Sequence, residues 1–247
     1  MTPIRRAQDQ LFDAGSSARE KYVSLVVGRR GWPALFEHEM VTLLSQHVPG
    51  ALGLALRKTL YPLLLGSCGR NVIFGQNVVL RHPHKIRIGD NVVIDDNCLV
   101  DAKGEANDGI TIGSGVFIGR NTILSCKDGN IVLGDGVNVG FNCEIFSAST
   151  VTVGRDTLIA AYCYLIGGDH DFSDPSQPIV AQARRSSGVT VGDGAWLGAG
   201  VKILDGVTIG DRAIIGAGAV VREAVPAGAI AAGIPAKIVG MREGVPQ

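Results

Sequence analysis

The feature that most constrains this chain is a column of aliphatic residues that recurs every six positions between Val191 and Val221. The column consists of Val191, Leu197, Ile203, Ile209, Ile215 and Val221. A small or β-branched residue follows each by four positions, at Ala195, Val201, Val207, Ala213, Ala219 and Val225. A period of six fits neither a helix nor a simple strand. It predicts a short strand and a turn repeated three times per coil, with every sixth side chain directed at one axis.

The same period runs back through most of the chain. The aliphatic residues form six triads with a strict internal spacing of six: Ile88-Ile94-Val100, Ile112-Ile118-Leu124, Leu133-Val139-Ile145, Val153-Ile159-Leu165, Val191-Leu197-Ile203 and Ile209-Ile215-Val221. Extra residues occur between triads, always after the third member, and only the step from Ile203 to Ile209 has none. A triangular coil explains this, because one corner can extrude loops while the faces remain stacked.

Glycine marks two of the three expected corners. It follows the aliphatic residue on the first two faces at Gly89, Gly113, Gly119, Gly134, Gly140, Gly154, Gly192, Gly198, Gly210 and Gly216, with Asp95 and Ala160 as exceptions. On the third face the next residue is never glycine. Because glycine adopts backbone conformations that a Cβ forbids, we expect two tight corners and a third that is not.

Composition argues against several classes of function. Lys+Arg and Asp+Glu are both 23, so the formal net charge is zero, whereas a general nucleic-acid binder carries a basic excess. The five cysteines include no CxxC pair, which indicates neither a disulfide framework nor a zinc site. The N-terminus lacks the apolar core of a signal peptide, and no uncharged apolar run reaches about 18 residues. We therefore expect a cytoplasmic protein that does not bind nucleic acid.

Residues 1–66 do not follow the period of six. Apolar spacing predicts three helices there, over Ala18–Val27, Leu35–Gln46 and Ala51–Leu65. Pro62 is expected to kink or end the third helix, which is rich in leucine around Arg57 and Lys58. That helix is predicted to pack against the body of the protein or a neighbouring subunit. The alternative is a basic amphipathic helix that lies peripherally on the inner face of the cytoplasmic membrane.

The chain therefore divides into an N-terminal helical segment (1–66), a repeat domain (67–240) and a C-terminal tail (241–247). The longest insertion, residues 166–190, interrupts the repeat domain after Leu165. A loop of this length in a compact array is more often functional than not.

The long insertion carries His170 between Asp169 and Asp171. A histidine at the edge of a rigid scaffold can act as a base near neutral pH. The alternative is a surface histidine in a polar loop. The flanking aspartates could hold one ring nitrogen, although adjacent residues seldom point the same way. A zinc site from His82, His84 and His170 would have to bridge several coils, and no metal-ligand spacing is visible.

These residues resemble the hexapeptide-repeat acyltransferases. The resemblance covers about Val72 to Gly240 and is carried by GGDHDFSDPSQPI, AWLGAGVKILDGVTIGDRAIIGAGAVV and VPAGAIAAGIPAKIVG. It is closest to bacterial sugar and polysaccharide O-acetyltransferases of the maltose-acetyltransferase type. The resemblance implies a mainly β fold, a left-handed parallel β-helix preceded by an α-helical segment, assembled as a homotrimer with active sites between neighbouring prisms.

The resemblance also implies roles for individual residues. His170 matches the catalytic base, which removes a proton from an acceptor hydroxyl as its oxygen attacks the thioester of acetyl-CoA. No metal is required. Cofactor-binding positions match Trp196, Ala199, Ala217, Arg222 and Lys237. Glu223 stands where the family has a second lysine, so the phosphates are expected to contact Arg222, Lys237 or Arg242, or else Arg184 and Arg185.

Two departures concern the acceptor, which is expected to be a small molecule or glycan. Gly140 replaces an asparagine that holds the sugar in some relatives, and the nearest amide is Asn142. Asp169, Asp171 and Asn142 are therefore the expected acceptor-binding residues. Gly-Gly-Asp-His-Asp-Phe replaces the family's Thr-x-x-His-Pro, so the identity of the acceptor does not carry over.

The leading hypothesis is an acetyl-CoA-dependent O-acetyltransferase acting on a sugar or glycan precursor. The first alternative transfers the acetyl group to an amine of an amino sugar or antibiotic. Two further alternatives are a zinc hydro-lyase of carbonic anhydrase type and a scaffold without catalysis.

Overall fold

The repeat folds into a prism of stacked coils. The structure, a computed structural model, describes residues 12 and 14–244, so the outer parts of the predicted segments 1–66 and 241–247 lie outside the described residues. In chain order the strands are β1 Ser67–Cys68, β2 Ile73–Phe74, β3 Val79–Arg81, β4 Ile86–Ile88, β5 Val93–Ile94, β6 Leu99–Asp101, β7 Ile110–Ile112, β8 Phe117–Ile118, β9 Ile123–Cys126, β10 Asn130–Leu133, β11 Asn138–Val139, β12 Glu144–Ser147, β13 Thr150–Val153, β14 Leu158–Ile159, β15 Tyr164–Gly167, β16 Asp169–His170, β17 Arg184–Arg185, β18 Val189–Val191, β19 Trp196–Leu197, β20 Lys202–Ile203, β21 Thr208–Ile209, β22 Ile214–Ile215, β23 Val220–Val221, β24 Ala229–Gly233 and β25 Ala236–Met241.

Three sheets form the faces of the prism. The first has the order β1-β4-β7-β10-β13-β18-β21, the second β2-β5-β8-β11-β14-β19-β22-β24-β25, and the third β3-β6-β9-β12-β15-β20-β23. Pairing is parallel except between β24 and β25. The predicted mainly β fold, a parallel β-helix preceded by helices, is confirmed.

The predicted triads form the core of this prism. Each triad residue pairs in register with its counterpart one coil away, as Ile88 does with Ile112 and Leu165 with Ile203. All the triad side chains are 4% exposed or less. One coil precedes those that the sequence predicted, with Cys68, Phe74 and Leu80 at the same spacing. It was missed because two of its three core residues are not aliphatic.

The corner glycines are required for a reason different from the one predicted. None of the ten glycines that follow the aliphatic residues has a positive φ. A Cβ on Gly154 would instead lie 2.5 Å from the backbone nitrogen of Asp193, and one on Gly198 would lie 2.6 Å from that of Ala217. Glycine is therefore needed because the next coil passes too close for any side chain.

Helices cover the first coil. They are α1 Ala18–Tyr22, a π-helical turn Val23–Val27, α2 Trp32–Ser45 and α3 Gly50–Leu64, with short 3₁₀ turns at Pro83–Lys85 and Ile179–Ala181. Ser17 and Glu20 form a reciprocal capping box that starts α1. Pro62 lies inside α3, which ends two residues later.

The predicted packing of the third helix against the body is confirmed. The Tyr61 hydroxyl donates to the carbonyl of Val78 at 2.7 Å, and the Tyr61 ring meets the ring of Phe74 at 5.1 Å. Arg57 is 1% exposed and donates to the carbonyls of Phe74, Ser45 and Val48 at 2.8–3.0 Å. The Arg57 guanidinium ties α3 to the end of α2 and to β2, so it does not contribute charge to the outer face of the helix.

The outer face of α3 exposes Leu52, Leu54 and Leu63 beside Lys58. No helix of residues 12 and 14–244 is long and apolar enough to cross a membrane.

Candidate active site

The insertion after β15 folds back along the prism as a hairpin. Strands β16 and β17 pair antiparallel, with Asp169 opposite Arg185 and His170 opposite Arg184. The Ser186 hydroxyl donates to the carbonyl of Gly167 at 2.8 Å. A Cβ on Gly168 would lie 2.9 Å from that of Ala148 in the previous coil. The hairpin therefore leaves the prism in close contact with the coil before it.

Hydrogen bonds also order the tip of the insertion, around Asp174, and its end, at Ser187 and Gly188. The Asp174 carboxylate accepts from the Ser176 hydroxyl at 2.6 Å and from the Gln177 amide at 2.7 Å, and these bonds hold the pKa of Asp174 below its usual value. Where the chain returns, the Asp205 carboxylate accepts from the backbone N–H groups of Ser187 and Gly188. His170 is thus carried by a structured loop.

The His170 ring is partly buried on this hairpin. Its Nδ1 is enclosed and has no hydrogen-bond partner among the described residues. Its backbone N–H donates to the Asp169 carboxylate at 2.7 Å. Because Nδ1 is enclosed, Nε2 is the nitrogen left to meet an acceptor.

Neither flanking aspartate holds the ring, so the expectation that they could do so is wrong. Successive side chains of a strand alternate between faces, and the Asp171 carboxylate pairs instead with the Arg185 guanidinium at 2.7 Å. Hydrogen bonds from Ser173, followed by this guanidinium, lower the pKa of Asp171. Asp169 and Asp171 therefore brace the hairpin on the side away from the imidazole, and their predicted contact with an acceptor stays a prediction.

A positive cluster lies beneath the hairpin. Arg184 shares the face of His170, since directly opposed residues of an antiparallel pair point the same way. Burial lowers the pKa of Lys127, and the nearby charges of Arg184 and Lys103 lower it further. The hairpin is located at the corner between the third and first sheets, because the chain leaves β15 of the third sheet and returns to β18 of the first.

Three of the five predicted cofactor positions, Trp196, Ala199 and Ala217, lie at another corner. Trp196 begins β19 with its side chain 48% exposed, between Leu158 and Ile214 of the adjacent coils. Ala199 and Ala217 are exposed one coil apart, and the Gly218 N–H donates to the Ala199 carbonyl at 2.8 Å. This corner joins the second sheet to the third.

The structure brings Arg222 and Lys237 together around Glu223. The Glu223 carboxylate lies 3.7 Å from Arg222 Nε and 3.5 Å from Lys237 Nζ, all three on the exposed surface. Arg242 lies apart from them and donates to the carbonyl of Arg212 at 3.0 Å. The two predicted phosphate contacts thus share one carboxylate.

Asn142 belongs to the cofactor corner and not to the histidine corner. Its side-chain oxygen accepts from the Asn121 amide at 3.0 Å. A third-sheet strand such as Tyr164–Gly167 separates that corner from the hairpin. At about 3.3 Å per residue, the four residues of such a strand keep the two corners about 13 Å apart. Within one chain, His170 therefore does not meet Asn142, Ala199 or Ala217.

The other histidines lie elsewhere. His82 is buried beside the π-helical turn, where its Nε2 lies 2.9 Å from the carbonyl of Ser24, and the ring of His84 is stacked 6.2 Å away. Both follow the first coil, whereas His170 follows the fifth. Among residues 12 and 14–244, no three His, Cys, Asp or Glu side chains are placed to hold a metal ion.

A cleft of about 520 Å³ lies between α3 and the first coils, lined in part by Lys58, Cys68, Arg70 and Asp90. None of the predicted site residues lines it.

Comparison with known proteins agrees with this architecture. Residues 188–223 match the family described as bacterial transferase hexapeptide (six repeats). The chain is 34% identical over 149 residues to an Escherichia coli protein named as a lipopolysaccharide biosynthesis O-acetyl transferase, WbbJ, with 58% of this chain and 74% of that protein covered.

Two further proteins are similar over different extents. A Mycobacterium tuberculosis protein named as a probable acetyltransferase is 36% identical over 134 residues, which cover 54% of this chain but only 45% of that protein. The crystal structure of AntD, an N-acyltransferase from Bacillus cereus in complex with dTDP and 3-hydroxybutyryl-CoA, superposes with a TM-score of 0.55. It covers 81% of this chain and 91% of that one at 22% identity, and it shows a shared fold. By its repeat, its coils and its similarity to WbbJ, this chain belongs to the hexapeptide-repeat family of bacterial acetyltransferases.

Proposed function

We propose that this protein transfers an acetyl group from acetyl-CoA to a hydroxyl of a sugar or glycan precursor, with His170 as the general base. The observation that carries the proposal is the ordered hairpin that encloses Nδ1 of His170 and leaves Nε2 to an acceptor. The similarity to a protein named as an O-acetyl transferase supports oxygen over nitrogen as the acceptor atom.

The proposed catalytic step is a proton relay through one ring. His170 Nε2 accepts the proton of the acceptor hydroxyl as that oxygen forms its bond to the thioester carbonyl carbon. A backbone N–H in the active site between neighbouring prisms would stabilise the negative charge that develops on the carbonyl oxygen. When the carbon–sulfur bond breaks, the imidazolium returns the proton to the departing thiolate. Acetyl-CoA supplies the acetyl group as an activated thioester.

The exposed surface near Trp196 fits such a cofactor. Ala199 and Ala217 are small and exposed on successive coils, so an extended arm could lie along them without obstruction. Arg222 and Lys237 would supply positive charge for phosphates at one end of this wall, with Glu223 between them.

We further infer that the active site forms between chains of a homotrimer. His170 and the proposed cofactor residues Ala199 and Ala217 occupy different corners of one prism, whereas Arg222 follows β23 at the same corner as the hairpin. Three prisms packed side by side would place the hairpin corner of one chain against the cofactor corner of the next. Sedimentation analysis should give a mass three times the chain mass of 25.8 kDa. A monomer at active concentrations would contradict this arrangement.

A screen of matched acceptors tests the reaction itself. Thiol release from acetyl-CoA is measured with sugars that differ only in carrying a hydroxyl or an amine at one position, against a reaction without acceptor. Release with hydroxyl acceptors supports the proposal, whereas release with amines alone would reassign the protein as an N-acetyltransferase. If calorimetry shows no binding of acetyl-CoA, the scaffold hypothesis replaces catalysis.

Contact of α3 with a membrane stays a prediction, supported by the exposed side chains of Leu52, Leu54 and Leu63. Flotation with vesicles that contain anionic lipid tests it, with L52Q/L63Q as the variant. Binding that this variant abolishes supports a peripheral contact, and absence of any vesicle-bound protein would refute it.

A further inference from the structure

One residue breaks the pattern of the corner between the second and third sheets. At this corner each of the seven coils turns through a left-handed residue: Asn77, Asn97, Asn121, Asn142, Tyr162, Gly200 and Gly218, with φ between 55° and 74°. Glycine and asparagine tolerate this conformation, whereas a bulky side chain there is an outlier. Tyr162, at φ 62°, is therefore strained where its counterparts are not.

Two pairs of hydrogen-bonded asparagines precede Tyr162 at this corner. Asn77 donates to Asn97 at 3.1 Å, and Asn121 donates to Asn142 at 3.0 Å. Tyrosine stands at the next position, 162. Asn142 Nδ2 has no acceptor among the described residues, and neither has Asn97 Nδ2.

Packing within the chain does not offset this strain. The Tyr162 side chain is 61% exposed. Its ring meets the Phe141 ring edge-to-face at 5.5 Å, and Phe141 is itself partly exposed. The Arg120 guanidinium lies 5.0 Å from the centre of the Phe141 ring. A strained and exposed aromatic residue of this kind is a candidate for function.

The aromatic pair continues the proposed cofactor wall. The Gly200 N–H donates to the carbonyl of Ala161 at 2.9 Å, which places Tyr162 one coil from Ala199. Arg222 follows the coil two beyond that of Tyr162, so the charges of Arg222 and Lys237 lie toward the C-terminal end of the prism. With phosphates at that end, an arm along Ala217 and Ala199 would extend toward Tyr162 and Phe141.

We propose that Phe141 and Tyr162 form a platform on which a pyranose ring of the acceptor stacks, with the free Asn142 amide donating to one of its hydroxyls. This inference rests on the proposed function. The electron-rich face of an aromatic ring attracts groups that carry partial positive charge, such as the C–H bonds on the apolar face of a pyranose. An amide that lacks an internal acceptor supplies the polar contact that a hydroxyl needs.

The variant Tyr162→Asn tests the platform without endangering the fold, because asparagine already occupies this position in four of the seven coils. We expect its thermal unfolding midpoint to rise, since the backbone strain at φ 62° is relieved. Its KM for a sugar acceptor should rise about two- to tenfold, the factor that corresponds to one stacking contact of an aromatic ring. Acetyl-CoA binding by calorimetry should not change.

A binding measurement keeps this test separate from catalysis. Saturation-transfer NMR with a panel of methyl pyranosides should show contact to ring C–H protons in the wild type and in Tyr162→Phe, and no contact in Tyr162→Asn. Equal signals in all three proteins would overturn the platform. A lower unfolding midpoint or a dissociated trimer in Tyr162→Asn would instead show that Tyr162 packs against a second copy of the chain. If NMR shows stacking but no thiol is released from acetyl-CoA, the proposed function fails and the platform stands.

Discussion

Arg184 lies directly opposite His170 in the antiparallel pair β16–β17, and the two side chains share one face of the hairpin. Asp169 and Arg185 are opposed on the other face, where Arg185 pairs with Asp171 at 2.7 Å. The hairpin therefore separates a face that bears the proposed base from a face that braces it.

The variant Asp171→Asn should lower kcat by no more than about fivefold. Because the Arg185 guanidinium is 71% exposed, solvent screens its ion pair with Asp171, which should be worth about 1 kcal/mol at most. Steady-state kinetics against Asp169→Asn provides the comparison. A loss as large as that of a His170 variant would show that Asp171 contacts the acceptor directly, as the sequence predicts.

Arg57 is predicted to hold the helices to the prism. Arg57→Met keeps the apolar stem of the side chain but leaves the carbonyls of Ser45, Val48 and Phe74 without their donor. Unsatisfied buried acceptors cost about 1–3 kcal/mol each, so the free energy of unfolding should fall by about 3 kcal/mol or more. The neighbouring exposed change Lys58→Met is the control, expected to stay within about 0.5 kcal/mol. Equal effects in denaturant titrations would contradict the assigned role.

Two glycines with different requirements provide a matched test of the corners. Gly154→Ala places a Cβ 2.5 Å from the next coil's backbone and should destabilise the protein by about 2 kcal/mol, the usual cost of overpacking. Gly218 has a left-handed φ of 70°, and a Cβ at this position would meet no atom within 4 Å, so Gly218→Asn should be nearly neutral. Chemical unfolding measures both. The reverse order would refute close approach as the reason for the corner glycines.

Stability should fall between about pH 6.5 and pH 4. Burial lowers the pKa of His82 to about 4 and also lowers the pKa of His84. The His82 imidazole then stays largely neutral in the folded protein above about pH 4, whereas the unfolded chain binds its proton below about pH 6.5. The lowered pKa of His84 acts in the same direction. His82 alone should remove up to about 3 kcal/mol over this window.

The matched variant for that pH dependence is His82→Asn, because asparagine tolerates the left-handed φ of 50° at this position. Its unfolding free energy should vary less with pH between 4 and 6.5 than that of the wild type. Identical pH profiles in urea titrations would exclude His82 as the source.

The fold could be predicted from the sequence because every sixth residue points into the prism and must therefore be apolar. The predicted packing of α3 was also correct, but the role of Arg57 could not be predicted. Its acceptors are carbonyls of Ser45, Val48 and Phe74, which become neighbours only when α2, α3 and the first coil meet. The sequence of a leucine-rich helix does not show whether its arginine is exposed to solvent or donates to the carbonyls at the end of another helix.

The candidate site was predictable only in part. His170 could be singled out from its place in the one long insertion, but its surroundings depend on residues 169–170 forming a strand, which turns the aspartates away from the ring. Tyr162 was missed although the sequence contains the signal. The residue three positions after each second-face aliphatic is otherwise asparagine or glycine, and comparing the coils at that position identifies the exception.

The most direct test of a histidine-dependent site formed between chains is complementation between two inactive variants. His170→Ala removes the proposed base, and Ala199→Trp blocks the proposed cofactor wall at an exposed position. His170→Ala alone should lose at least about a hundredfold in the rate of thiol release, the lower range for loss of general base catalysis. Ala199→Trp alone should lose a comparable factor because acetyl-CoA is blocked. Mixed trimers should recover activity, because some clefts combine the intact His170 of one chain with the intact Ala199 of another. Near-normal activity of His170→Ala, or no recovery in mixed trimers of two inactive variants, would contradict such a site.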